Sequence, residues 1–327
     1  MSAAQLLDWR FVLQLRAVRL LKKNVFNQTA VAICAALVSV GLVRAADEDY
    51  AARFKQLQAQ KADGAQIDPL LDEWRANHPE DPDAWITSAN YYFNQSVGPM
   101  ISAKKPEKGD YALTNRKTGK AAGSISFKPN VAKTSRDAAA ILQEATTKFP
   151  DRLDIWCGLS WVYQERSDFD NEFTTLKKMS AYVREHPNDL KWLKGERLPA
   201  PGDQFVPDKL HSYGIYYEKK ENPEDDKRFL QIATFSAEQF PNHPYAFNDV
   251  AVYYSINKDY AKTREWLEKA HKIDPQDTLV MYNLGYTSEK LGDKNAARKW
   301  YEETLKANPE GDEAEKAKQA LAKLKKK

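Results

Sequence analysis

Three prolines, Pro241, Pro275 and Pro309, stand 34 residues apart twice over, and each closes a stretch of helical apolar spacing ("EQFP", "KIDP", "KANP"). Proline has no N–H to give and disfavours helix in the residue before it, so each marks a helix end. Pro79 ("ANHP"), Pro150 ("TKFP") and Pro187 ("REHP") carry the same signal earlier in the chain. Helical units of one size, repeated in tandem, are what such punctuation describes.

The side chains inside the period agree with it. Six residues beyond four of the prolines comes a large apolar residue: Trp85, Trp156, Phe247 and Met281, with Leu210 in that role after a longer connection. The fourth residue on from each is small, namely Ala89, Ser160, Gly214, Ala251 and Gly285, and the seventh is Tyr92, Tyr163, Tyr217, Tyr254 and Ser288. A glycine inside a helix costs about 1 kcal/mol against alanine, so Gly285 implies a close approach of the two helices of a pair. Twelve residues after the large one stand Asp168, Asn222, Asp259 and Asp293, residues that cap a second helix. In the last two units Thr263 or Ala297, Leu267 or Tyr301, and Ala270 or Thr304 then line an inner face at helical spacing.

This pattern resembles the tetratricopeptide repeat family, closely over residues 244–309 and more loosely back to residue 82. Met281, Ser288 and Thr304 depart from the family's usual aromatic, aromatic and alanine. The resemblance implies an all-α fold, a right-handed α-solenoid of helix-turn-helix repeats. It also implies that the first helices of successive pairs line a concave groove for a peptide or a partner's helix. Carried over by position, the groove residues are Asp154, Cys157, Trp161 and Gln164; then Tyr245, Asn248, Val252 and Ser255; then Tyr282, Tyr286 and Glu289. Some members of the family grip a C-terminal carboxylate with lysine and asparagine clamps; here Asp249 and Asn283 stand where basic residues would be wanted.

Two insertions interrupt the array. From Pro79 to Pro150 is one period plus 37 residues, and the excess falls at 97–133, before Thr134 caps the resumed helix. Its "GDYALTNRKTGKAAGSISF" has β-branched and aromatic residues on either side of a Gly/Lys turn and reads as a β-hairpin. Between Pro187 and Leu210 lies "GERLPAPGDQFVP", a Pro/Gly-rich loop over 188–207. The chain thus divides into a degenerate leading helix pair at 46–81, a repeat with its insertion at 82–150, a repeat at 153–187, the loop, repeats at 208–241, 244–277 and 278–309, and a polar capping helix at 310–327.

The first 45 residues stand apart. "TAVAICAALVSVGLV" is a 15-residue apolar run, short for a membrane span of about 20, and Val43-Arg44-Ala45 before an acidic stretch fits a cleavage site after Ala45. The expectation is a bacterial-type signal peptide with an extended basic n-region, hence a periplasmic or secreted protein with no membrane span after cleavage. An inner-membrane anchor made by the uncleaved segment is the alternative, and initiation near Leu21 would leave a signal peptide of ordinary length. Export favours disulfides, yet beyond Ala45 the one cysteine is Cys157.

Of the net charge of +3, the first 45 residues hold six basic side chains and one acid, leaving 43 basic against 45 acidic. Nucleic-acid binding by the body is not expected. The insertion runs against that balance, with eight basic residues (Lys104, Lys105, Lys108, Arg116, Lys117, Lys120, Lys128 and Lys133) against Glu107 and Asp110. The first six are candidate contacts for an anionic partner. No zinc-protease, phosphate-loop, paired-cysteine or nucleophile-elbow motif occurs. His78 and His186 directly precede repeat-ending prolines and His243 follows one by two, which reads as helix-end chemistry. The expected function is a non-enzymatic interaction scaffold of the cell envelope, with no metal, cofactor or catalytic residue and a protein or peptide partner. The alternative is an envelope-glycan or anionic-polymer binder that works through the basic insertion.

Overall fold

The computed structural model describes residues 49–326 apart from 105, 107–109, 117 and 221. The signal segment at 1–45, the start near Leu21, and Lys105, Lys108 and Lys117 lie outside the described residues.

Among the described residues are thirteen α-helices and three strands. The leading pair is α1 (Tyr50–Ala59) and α2 (Gly64–Asn77). Next come α3 (Pro82–Ser96), strands β1 (Val97–Ser102), β2 (Tyr111–Thr114) and β3 (Ala121–Pro129), and α4 (Ala138–Lys148). Three pairs follow: α5 (Leu153–Glu165) with α6 (Phe169–Glu185), α7 (Gly202–Glu218) with α8 (Pro223–Gln239), and α9 (Pro244–Ile256) with α10 (Tyr260–Ile273). The last pair is α11 (Thr278–Lys290) and α12 (Lys294–Ala307), closed by α13 (Asp312–Lys326). Each helix packs on the next, giving an all-α solenoid with a small sheet inserted. None of the described helices is long and apolar enough to cross a membrane.

Local chemistry explains the period. The second helices begin at caps whose side chains accept backbone N–H bonds: Asp168 from Asn171, Asn222 from Asp225, Asp259 from Lys262 and Asp293 from Ala296. The residue before three of these caps turns left-handed (Ser167 φ 58°, Lys258 φ 61°, Gly292 φ 82°), which reverses the chain between the helices of a pair. A Cβ on Gly285 would lie 2.6 Å from the Tyr301 ring, so the close approach of α11 and α12 is what requires the glycine. Ser288 and Thr304 are buried where the family has larger or apolar groups, and their hydroxyls donate to the carbonyls of Leu284 (2.8 Å) and Trp300 (2.9 Å) one turn back. The large apolar position has a second use where it is tryptophan. Trp85 Nε1 donates to the carbonyl of Pro79 (3.3 Å) and Trp156 Nε1 to that of Pro150 (3.0 Å), stapling each helix to the turn that precedes it.

Three details differ from the sequence reading. The resumed helix is capped by Asp137, which accepts from Ala139 N, and not by Thr134, whose hydroxyl donates to the Arg136 carbonyl. Ser135 and Arg136 are held outside the helix by Asp68 and Asp72 of α2, contacts 64 or more residues away in sequence. The 188–207 segment is not all loop, because α7 begins at Gly202 and carries Pro207 within it. Burial of Phe205, Val206, Pro207 and Leu210 outweighs the one helical N–H that proline omits. The insertion, finally, is a three-stranded antiparallel sheet in the order β1-β3-β2, the β2–β3 hairpin being joined by an edge strand that leaves α3 with no linker. Gly98 and Pro99 weaken the strand signal of β1, and an edge is where a sheet tolerates proline.

Candidate functional site

The positions carried over from the family fall on the first helices α5, α9 and α11, and the structure gives them different work. On α5 they are largely spent inside the protein. Asp154 forms a two-bond pair with Arg152 (2.9 and 2.8 Å), both side chains under a tenth exposed. Cys157 is half-buried against the α5–α8 core, and burial pushes its thiol up to about 11, away from the reactive thiolate form. Trp161 lies tilted against Phe93, centroids 4.5 Å apart, and packs on the α1–α5 core. Gln164 is buried and donates to Glu172 (2.9 Å), so it presents nothing to a partner.

On α9 and α11 the same positions enclose space. A cleft of about 250 Å³ opens between these helices, lined by Val252, Ser255 and Ile256 from α9, Tyr282, Asn283 and Tyr286 from α11, with Thr263 and Leu267 of α10 behind. It joins Val252, Ser255, Tyr282 and Tyr286, four residues from two successive repeats. One edge is fixed by an amide pair, Asn283 Nδ2 donating to Asn248 Oδ1 (2.8 Å), which buries Asn248 and aligns the two helices. Glu289 accepts from the Tyr301 hydroxyl (3.3 Å) one turn beyond. Lys290 Nζ lies 5.1 Å above the Tyr286 ring, so a cation flanks this end, whereas Lys316, 5.9 Å above the Tyr282 ring, is paired with Glu313 (3.8 Å).

Toward the other end stands a group that the sequence reading missed. Counted from Leu210 as the other groove residues are from their anchors, α7 contributes Asp208 and His211. His211 Nδ1 meets both carboxylate oxygens of Asp249 (3.0 and 2.8 Å), and Asp249 is 3% exposed while His211 keeps about a third of its side chain in solvent. Burial opposes the charge on His211, but the bonded Asp249 carboxylate prevails and raises its pKa. Burial raises Asp249 in turn, against the pull of His211. Asp249 is therefore a buried counter-charge and no stand-in for a basic clamp. Tyr245, 40% exposed, rests between His211 and His243 (centroids 5.7 and 5.3 Å). Its phenol is pushed up by burial first and then by Asp277, Asp208, Asp274 and Glu313, so this end of the face is acidic. His243 occupies the N-cap of α9, the positive and not the negative end of a helix, with Nε2 3.4 Å from Asp208; His78 and His186 do close α2 and α6.

The basic candidates Lys104, Arg116 and Lys120 are exposed in the two connections of the inserted sheet. A wider cleft of about 490 Å³ at the ends of α6, α7 and α8 is walled by Pro187, Pro201 and Pro241 and joins no two groove positions. Among the described residues, no group of three or more His, Cys, Asp or Glu could hold a metal ion.

Residues 279–310 match the tetratricopeptide repeat family model. No curated protein matches the sequence. Solved structures to which the chain is similar include YrrB, described as a tetratricopeptide repeat protein with an unusual peptide-binding site (14% identity over 76% of this chain and 97% of that one, TM-score 0.38). MamA 41-end from Desulfovibrio magneticus RS-1 is 13% identical over 54% of this chain and 86% of its own (TM-score 0.35). The Sgt2 domain from Aspergillus fumigatus is 23% identical over 37% and 77% (TM-score 0.33). The chain thus carries a tetratricopeptide repeat at residues 279–310, the last helix pair of its solenoid.

Proposed function

We propose that this protein is an exported, non-enzymatic scaffold of the cell envelope that holds a peptide or a partner's helix along α7, α9 and α11. The observation that carries the reading is the cleft between α9 and α11, where Val252, Ser255, Tyr282 and Tyr286 from adjacent repeats line one recess. An apolar side chain of the partner fills it, with tyrosine rings giving contact area at low entropic cost. Asp208, Asp274 and Asp277 near Tyr245 favour a cationic residue of the partner at the opposite end. His211 turns a ring about one-third exposed to the same face, poised by Asp249 to donate a hydrogen bond. Export rests on the apolar run and the cleavage pattern ending at Ala45.

The test is a peptide selected from a random display library against the full chain. Val252→Ala with Tyr286→Ala should weaken its binding at least about tenfold, as expected for removing two central contacts, while the melting temperature stays within about 3 °C. Undiminished binding would place the ligand elsewhere. A second reading, an anionic-polymer binder, is favoured by the eight-to-two excess of basic over acidic residues at 97–133.

A further inference from the structure

Nine large apolar side chains are exposed among the described residues, and five of them, Val97, Met100, Ile101, Tyr111 and Phe127, belong to the three-stranded sheet. A sheet alternates its side chains between two faces, and residues paired across strands share a face. The register pairs Ile101 with Ile125 and Tyr111 with the same Ile125, which makes one row across all three strands. Pro99 pairs with Phe127 in the neighbouring row, and the Phe127 ring meets Tyr111 edge-on at 6.2 Å. Both rows lie on one face. Ile101 is 76% exposed, Tyr111 63% and Phe127 52%, so the face that a sheet ordinarily buries stands in water here.

Its surroundings name the occupant. Three of the insertion's described basic residues lie in the two connections between strands: Lys104 before β2, and Arg116 and Lys120 between β2 and β3. Lys104, Arg116 and Lys120 are exposed. The sheet is tied to the solenoid at its base, where the Asn130 N–H donates to the Ser96 carbonyl (2.9 Å) and β1 continues straight from α3. We propose that the inserted sheet is a membrane-docking element that lays Ile101, Tyr111 and Phe127 into the interface of an anionic bilayer while Lys104, Arg116 and Lys120 meet its headgroups. A soluble polyanion would satisfy the cations and leave the apolar rows in water, whereas a bilayer interface takes both. Tyrosine, with an apolar ring and a polar tip, suits that depth. The groove reading stands or falls separately, because the sheet and the α9–α11 cleft share no residue.

The experiment is flotation of the full chain with vesicles of phosphatidylcholine alone, or with about 30% phosphatidylglycerol to supply surface charge. The intact protein should float with the anionic vesicles, and the combined variant Ile101→Ser, Tyr111→Ser, Phe127→Ser should bind them at least about tenfold more weakly. Arg116→Glu with Lys120→Glu should bind more weakly at low salt and differ less from the intact chain as salt rises. Far-UV circular dichroism and melting report whether each variant is folded; if the triple variant is not, Phe127→Ser alone is read, with a loss of about threefold expected. The proposal fails if the intact chain ignores anionic vesicles. It fails equally if the folded triple variant floats as the intact chain does, since the apolar run at 29–43 or another surface would then be responsible. Vesicle binding absent, with self-association lost in the triple variant on sedimentation, would make the face an interface between copies. Vesicle binding absent, with both proteins binding polyphosphate alike, would leave an anionic-polymer site only.

Discussion

Replacing Trp156 with alanine is expected to cost about 3–5 kcal/mol of stability, the usual effect of deleting a large buried aromatic. Trp156 is 8% exposed and packs in the core shared by α5, α6, α7 and α8. Its indole N–H is the donor to the Pro150 carbonyl, an acceptor in the turn between α4 and α5. Alanine would open a cavity and strand that carbonyl together. Because repeats are stabilised mainly by their neighbours, the loss should appear in urea unfolding as an earlier transition of the α5–α8 region. A change within about 0.5 kcal/mol would contradict the role assigned to this position.

Stability should also fall as pH rises from about 5 to about 8, and Glu172 is the main cause. Its carboxyl sits at the junction of α5, α6 and α7, accepting from Gln164 and, by a short bond, from the Tyr217 hydroxyl. Burial raises its pKa to about 8, against the lowering pull of those two bonds, Lys220 and Arg228. The folded protein therefore holds a proton that the unfolded chain releases near the ordinary carboxylate value. The sign follows: the stabilisation is complete at low pH and is lost as pH climbs through about 8. A shift of that size corresponds to at most about 5 kcal/mol. His211, whose pKa is also raised, weakens the fold in the same direction as it loses its charge beside Asp249. Glu172→Gln keeps the neutral shape and should flatten most of the slope in chemical denaturation across this range. An unchanged slope would assign the titration to other groups.

What the sequence made legible was local. The small fourth residue, the Asp and Asn caps and the repeat-ending prolines each act within one helix pair, and Gly285 against Tyr301 shows how directly such a residue reports its neighbour. Illegible features depend on partners far along the chain. Asp137, not Thr134, caps α4 because α2 holds Ser135 and Arg136. The start of α7 runs through Pro207 because tertiary burial overrides a breaker. In the candidate site, Val252, Tyr282 and Tyr286 follow from repeat position alone. Nothing local distinguishes Gln164 from them, since its burial comes from Glu172 on the next helix. His211 had a readable signal, the same offset from Leu210, but its pairing with Asp249 joins positions 38 residues apart.

The central claim is that the face built from first helices is where a partner is held, and site-specific photo-crosslinking tests it most directly. A photoreactive phenylalanine analogue at Tyr286, which lines the cleft, is compared in living cells with one at Glu265, exposed on α10 and outside the cleft lining. A discrete protein adduct from position 286, absent from position 265 and lost when Val252 is also changed to alanine, is the predicted result. Adducts at 265 with none at 286 would contradict the claim and move the working surface to the outer helices.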